Sequence, residues 1–356
     1  MNHFKQIAAK LNDYGVDAMM ITSEPGEFYA AGFHGEGIVL VAAGETTYIT
    51  DSRYIELAEK TIQDATILMV EVDKGRNYVT LVNDFLDRLG IKTLGIEESY
   101  MTLGAYQSYT ESLHAKLIPA GKLVLELRAA KDEHEIECLV KAQRISEKAL
   151  EEIFRFIKPG VTEREVAAKL TYDMLRFGAE KNSFDPIVVA GPNGSLPHGI
   201  PGDRPIQSGD FVTMDFGCKW GGYCSDMTRT IAVGQPTEEM AKVYDLVLKA
   251  QLAGIAASKA GVRGKDIDAA ARKVIEEGGY GAYFGHGYGH SVGIEIHESP
   301  NANTRDETPM PMGAAVSAEP GIYLPGRFGV RIEDVVIMEE GGCRVITQAP
   351  KELIIL

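Results

Sequence analysis

Two acidic side chains, Asp215 and Asp226, stand on either side of a Gly-rich tip in residues 211–233, FVTMDFGCKWGGYCSDMTRTIAV. The segments flanking Lys219-Trp220-Gly221-Gly222 are rich in β-branched and aromatic residues, which predicts a β-hairpin. A two-residue loop at Trp220-Gly221 sets Asp215 directly opposite Asp226. A loop at Gly221-Gly222 makes them diagonal neighbours on one face, and a three-residue loop sends them to opposite faces. In both two-residue registers like charges meet, and such a pair either shares a proton or holds a cation. The second outcome is metal chemistry.

A second pair has the same form. Residues 315–338, AVSAEPGIYLPGRFGVRIEDVVIM, predict two strands around a Pro/Gly turn, with an acid on each arm, Glu319 and Glu333. Four converging carboxylates need something cationic among them, because burying like charges unpaired is prohibitively costly. Two divalent ions would satisfy them and would activate water for hydrolysis. One imidazole would complete an oxygen-rich set that suits Mn, Co or Fe better than a Cys-rich zinc site does. The candidates are His286 and His290 in Gly285-His286-Gly287-Tyr288-Gly289-His290. Three glycines in six residues predict an irregular loop, so only one of the two need be a ligand. Glycine on both sides of each ring lets backbone approach something bound.

The elements that must position these groups repeat. A long helix starts at Asp132 with a capping-box pattern to Glu135 and stops at Lys158-Pro159-Gly160. A second helix runs from Thr162, with Glu165 three residues on, to Gly178. The Lys-x-Gly-Val turn between them recurs at Lys259-Ala260-Gly261-Val262, again between two helical patterns. Each copy leads to one carboxylate pair, so two related halves would meet at a central site.

Ahead of this region, residues 1 to about 122 alternate helix (Phe4 to Tyr14), strand (Asp17 to Thr22), strands (Ile38 to Ala42 and Thr46 to Thr50), helix (Ser52 to about Ile62), strand (Thr66 to Val70), helix (Asn77 to Leu89), strand (Thr93 to Ile96) and a helix after Thr102. This predicts an α/β layer of its own. Ile118-Pro119-Ala120-Gly121-Lys122 reads as a linker. Two domains, 1–122 and 123–356, agree with a length of 356 residues, above the usual limit for a single core.

Composition narrows the function. Hydrophobic content of 45% and charged content of 24% are those of a soluble globular protein. A formal charge of -15 with no Lys/Arg run speaks against nucleic acid or an anionic membrane as partner. Four scattered cysteines, Cys138, Cys218, Cys224 and Cys343, give neither a disulfide framework nor a CxxC pair, which with no signal-type apolar run predicts a cytoplasmic protein. Cys218 and Cys224 are expected to pack as small hydrophobes, and Trp220 to make a surface or subunit contact. Asn193-Gly194-Ser195 reads as a turn. Gly289-His290-Ser291-Val292-Gly293 matches a serine-hydrolase elbow, but only Glu295 and His297 follow at hand, which leaves no room for that triad. The same glycines fail G-x-G-x-x-G.

The set DFG…SDMTRT, GHGYGHSVGIEIHE, EPGIY and RIED resembles the pita-bread metallopeptidases, and within them the Xaa-Pro dipeptidase (prolidase) and aminopeptidase P branch. The resemblance covers about residues 123–356, and the preceding segment is similar to the creatinase-type N-terminal domain of that branch. It implies an α/β N-terminal domain followed by an α+β pita-bread catalytic domain with an internal pseudo-two-fold repeat. By motif position it implies that Asp215 binds one metal, Asp226 and Glu333 bridge, and His290 and Glu319 hold the other. His198, His286 and His297 match histidines that contact substrate. Arg331, two before Glu333 on the same strand face, either binds a carboxylate or orients the ligands, and Tyr323 either lines the pocket or packs in the core. Thr50-Asp51-Ser52-Arg53-Tyr54 also matches the family, although an N-capped helix after a strand accounts for it.

The activity implied is hydrolysis of the bond between a free N-terminal residue and proline, with two divalent ions, Mn first among Mn, Co, Fe and Zn. Glu319 would assist loss of a proton from water, and His297 or His198 would stabilise the oxyanion. A dipeptidase is the first reading, aminopeptidase P acting on longer Xaa-Pro peptides the alternative, and a non-catalytic binding module the reading from another class. A homodimer is expected, acting on a small peptide with proline second.

Overall fold

A computed structural model describes residues 2–356. The chain separates into two compact units, one ending at Arg128 and the other spanning Ala129–Leu356.

The first unit is built on six strands, β1 (Ala18–Ile21), β2 (Gly37–Ala42), β3 (Glu45–Thr50), β4 (Thr66–Met69), β5 (Thr93–Ile96) and β6 (Lys116–Pro119), in the order β4-β3-β2-β1-β5-β6. Its helices are α1 (Phe4–Lys10), α2 (Glu24–Ala31), α3 (Ile55–Thr61), α4 (Tyr78–Leu89), α5 (Leu103–Ser112) and α6 (Gly121–Ala129). The central strands β1 and β2 are almost continuously apolar and buried, as a sheet covered on both faces requires. Three features differ from the sequence reading. Helix α2 was not foreseen, since Pro25-Gly26 looks like a breaker; the Ser23 hydroxyl accepts from Gly26 N and Pro25 lies in the first turn, where its missing N–H costs nothing. Residues 118–122 are no open linker but the end of β6 and the start of α6. Helix α3 begins after Tyr54 with no side-chain cap, and Asp51 instead accepts from Arg53 N and pairs with its guanidinium.

The second unit opens with α7 (Glu133–Phe156) and α8 (Glu163–Arg176), each started by the capping box read from the sequence, Asp132 with Glu135 and Thr162 with Glu165. Strands β7 (Lys181–Asn182), β8 (Ile187–Ala190), β9 (Phe211–Phe216), β10 (Cys218–Trp220), β11 (Tyr223–Cys224) and β12 (Met227–Ala232) follow. The second copy repeats the plan: α9 (Glu238–Ala257), α10 (Gly264–Glu277), then β13 (Gly289–Ser291), β14 (Glu298–Ala302), β15 (Ala315–Ala318), β16 (Gly321–Leu324), β17 (Phe328–Arg331), β18 (Asp334–Glu339) and β19 (Gly342–Val345). One apolar core gathers α7 and α8 under β8, β9 and β12, and another gathers α9 and α10 under β15 to β18.

In each copy an outer strand pair continues into an inner hairpin. Strand β9 pairs with β12 (Asp215↔Thr228) and β10 with β11 (Trp220↔Tyr223), joined at Gly221-Gly222, both at positive φ (59° and 78°). This is the two-residue turn whose twist suits a hairpin. In the second copy β15 pairs with β18 (Ala318↔Asp334) and β16 with β17 (Gly321↔Arg331), so residues 315–338 form four short strands rather than two. The carboxylates sit where outer pair meets inner hairpin. Trp220 packs against the first core under the Lys141 ammonium, 4.4 Å from the ring centroid.

Candidate metal centre

The Gly221-Gly222 turn selects the diagonal register of the three foreseen, with Asp226 two residues beyond Thr228, the partner of Asp215. Carrying the other ladder from Ala318↔Asp334 towards Gly321↔Arg331 places Glu319 opposite Glu333. The two ladders then join: Glu333 N donates to Thr228 O at 3.1 Å, and Thr230 Oγ1 donates to Arg331 O at 3.0 Å. His290 comes from β13, with a bulge between His290 and Ser291. The irregular loop expected for residues 285–290 therefore ends at Tyr288, and Gly289–Ser291 is strand, because its backbone pairs with both β14 and β15.

Asp215, Asp226, His290, Glu319 and Glu333 all line one cavity of about 500 Å³. Asp226, His290 and Glu333 offer atoms that lie within 4.8 Å of one another. Asp215 and Glu319 are outside this tightest group, each turned to a neighbouring cation. Arg331 Nη2 donates to Asp215 Oδ2 at 2.7 Å, and His290 Nε2 stands 3.3 Å from Glu319 Oε1 and 3.6 Å from Asp226 Oδ2. Ser317 Oγ donates to Glu319 Oε1 at 3.0 Å and accepts from His290 N at 2.9 Å. Thr228 Oγ1 donates to Glu333 Oε2 at 2.7 Å.

Burial, and after it the charge of Asp215, holds the Asp226 carboxyl well above the usual carboxylate range. Burial and the charges of Asp226 and Glu319 do the same to Glu333. Asp215 is also raised, burial outweighing Arg331. Glu319 is the exception. Burial pushes it up, but the hydrogen bond and charge of His290 carry it down to about 2, and the same contact lifts His290 to about 9 against desolvation. Two buried oxygens, Asp215 Oδ1 and Glu333 Oε1, have no hydrogen-bond partner among the described residues. Orphaned oxygens on protonation-prone carboxyls, with one imidazole among them, are what an oxygen-rich divalent-metal site looks like without its charge. The residues fit such a centre.

The remaining site residues fall around it. His198, after Pro197, and His297 are exposed along the cavity, and the His297 ring meets His290 edge-on at 4.3 Å between centroids. His286 lines the wall, its Nδ1–H donating to Gly287 O at 2.8 Å and its Nε2 accepting from Tyr323 Oη at 2.9 Å. Tyr323 lies behind that wall, buried, and its oxygen accepts from Arg331 Nη1 at 2.9 Å. Arg331 also donates to Pro197 O and Thr228 Oγ1, so one guanidinium ties the His198 loop, His286 and Asp215 together. Sequence reasoning missed Thr228 and Ser317. Both stand two residues from an acid, Asp226 or Glu319, in an extended segment, and that alternation was the available signal. It also missed Phe184, Ile187 and Ile296, apolar residues that line the cavity. Cys218 and Cys224 are buried, and Ser291 Oγ is spent on Pro300 O at 2.6 Å.

Arg331 is 3% exposed. Breaking one side of a buried ion pair costs about 3–5 kcal/mol. Arg331→Ala is expected to lower the unfolding free energy by about that much in urea titration, and to reduce activity about 10- to 100-fold, the usual cost of losing an outer partner of a metal ligand. Wild-type stability in this variant would contradict the contacts described.

The profile of metallopeptidase family M24 matches residues 137–340, and that of the creatinase/prolidase N-terminal domain matches residues 4–130. The chain is 36% identical over 355 residues to the Xaa-Pro dipeptidase of Pyrococcus horikoshii, covering 98% of each. Its structure is similar to that of the Xaa-Pro dipeptidase from Bacillus anthracis, with a TM-score of 0.95 and 43% identity over 99% of each chain. It is also similar to the X-Pro aminopeptidase from Thermotoga maritima, with a TM-score of 0.92 and 36% identity over 100% of each chain.

Proposed function

The chain belongs to metallopeptidase family M24, and on that premise we propose that it is a Xaa-Pro dipeptidase, releasing a free N-terminal residue from proline. The observation that carries this reading is a set of four carboxylates and one imidazole on a single cavity that Phe184, Ile187, Pro197 and Ile296 also line. Asp215, Asp226, Glu333, His290 and Glu319 would hold two divalent ions. Manganese is the ion proposed, since hard oxygen donors dominate the set. Bound there, the metal pair would supply Lewis acidity to the scissile carbonyl and lower the pKa of the attacking water.

The protein's own groups do the rest. Glu319 would accept the water proton, and a ring N–H of His297 or His198 would donate to the developing oxyanion. Phe184, Ile187, Pro197 and Ile296 would pack the substrate's apolar parts. Proline's nitrogen carries no N–H at the scissile bond, so shape and apolar contact rather than a hydrogen bond must select it.

A second reading, removal of the first residue from longer Xaa-Pro peptides, has one observation in its favour. A further cavity of about 530 Å³ is bounded by His286, Gly287 and Asn303, which also line the first. Rates on a Xaa-Pro dipeptide and a Xaa-Pro-Xaa tripeptide, with Mn present, separate the two. At least tenfold preference for the dipeptide is expected; the reverse order would favour the second reading, and cleavage of neither would overturn both. No helix among the described residues is long and apolar enough to cross a membrane. Four free cysteines support a reducing compartment, the cytoplasm. The assembly proposed is a homodimer, which light scattering would test.

A further inference from the structure

The loop that carries His286 is held from behind by one helix. Asp268 and Arg272 stand one turn apart on α10, and Asp268 is only 1% exposed. Asp268 grips the guanidinium in a fork: Nε donates to Oδ2 at 2.8 Å and Nη2 to Oδ1 at 3.0 Å. The other donations go to loop backbone, Nη1 to Phe284 O at 2.9 Å and Nη2 to His286 O at 2.7 Å, with the guanidinium 4.2 Å above the Phe284 ring. Asp268 Oδ1 also accepts from Tyr288 N at 2.9 Å. Two side chains thus bind three peptide groups within residues 284–288, where Gly285 and Gly287 leave the backbone little stiffness of its own.

Towards the cavity the same loop presents the His286 ring to Tyr323 Oη and offers Tyr288 O to Glu319 N at 2.9 Å. We infer that Asp268 and Arg272 are positioning residues for His286, fixing its ring in one tautomer and one orientation for a peptide bound in the cavity. The role of that peptide rests on the function proposed above; the fixing of the ring does not. A surface i,i+4 pair would turn its fork to water and act on its own helix. Here the donors left over by the fork are used on one loop, and both loop ends that matter, at His286 and at Tyr288, are held. Lysine's three donors radiate from one nitrogen, whereas four acceptor oxygens here are met from three nitrogens of a planar fork, so it cannot replace this arginine.

The test begins without substrate. In histidine-labelled protein, imidazole ¹H–¹⁵N spectra are expected to show His286 of the wild type in the Nδ1–H tautomer. In Arg272→Met and in Asp268→Asn its signals should move to an average of tautomers while the remaining histidines stay and circular dichroism is unchanged. Arg272→Lys should not restore them. An unmoved His286 signature in both Arg272→Met and Asp268→Asn would overturn the inference. With a Xaa-Pro dipeptide, Arg272→Met is expected to lower kcat/KM about tenfold in the wild-type background and not at all in a His286→Ala background; additive losses would overturn it too. Should the wild type cleave no Xaa-Pro peptide, the proposed function falls, and the spectra alone still decide the positioning role.

Discussion

Asp226→Asn is expected to lower kcat/KM by at least about three orders of magnitude, roughly 4 kcal/mol of transition-state stabilisation, while leaving the metal-free protein more stable than the wild type. The two effects have one cause. Asp226 is 3% exposed, and burial together with the charges of Asp215 and Glu319 disfavours its ionised form. An amide of the same shape carries no charge to bury, so the metal-free variant should melt a few degrees higher. It also loses the charge that would hold a cation, so added Mn should raise the wild-type melting temperature and leave that of Asp226→Asn where it was. A variant that is destabilised and still stabilised by Mn would mean that Asp226 is an ordinary structural carboxylate.

Chelation should remove activity completely, and the stability lost with it should grow with pH. Asp226 and Glu333 bind protons more tightly in the folded chain than in the unfolded one, where carboxyls titrate near ~4. Between that range and their raised values the folded metal-free chain holds more protons, so its stability falls as pH rises. His290 acts in the same sense, its contribution present below the ordinary histidine range and lost as pH rises through about 9. Glu319, lowered to about 2, contributes stability that fades only as pH falls through that value. Metal binding must expel the carboxyl protons, so affinity weakens towards acid. Thermal melts of metal-free and Mn-loaded protein between pH 5 and 8.5 are expected to diverge as pH rises. Parallel curves would show that these carboxyls do not bind the ion.

How far the sequence foretold this site depends on the kind of residue. The helix starts at Asp132 and Thr162 were legible because a capping box is local chemistry, written within four residues. Asp215, Asp226, Glu319 and Glu333 were legible as pairs because strand alternation and short turns are also local. Which hairpin register holds was left to two glycines, and only their positive φ values settle it. His290 on a strand was not legible: Gly289 tolerates no Cβ, which would lie 1.9 Å from Ser317 O, and that close approach of β13 to β15 is a tertiary fact disguised as a loop-like glycine. The role of Arg331 was legible but its partners were not, since Asp215 and Pro197 are far away in sequence; nor were Asp268 and Arg272, which look like any surface helix pair until the loop at 284–288 is folded against them. Helix α2 was hidden because Pro25 and Gly26, breakers inside a helix, are harmless in its first turn.

Crystals of the protein loaded with Mn, measured on both sides of the Mn absorption edge, put the central claim to its most direct test. Two anomalous peaks should appear in the cavity, within bonding distance of Asp215, Asp226, His290, Glu319 and Glu333, with Asp226 and Glu333 reaching both. A cavity with no peak, or peaks whose nearest donors lie elsewhere in the chain, would contradict the account.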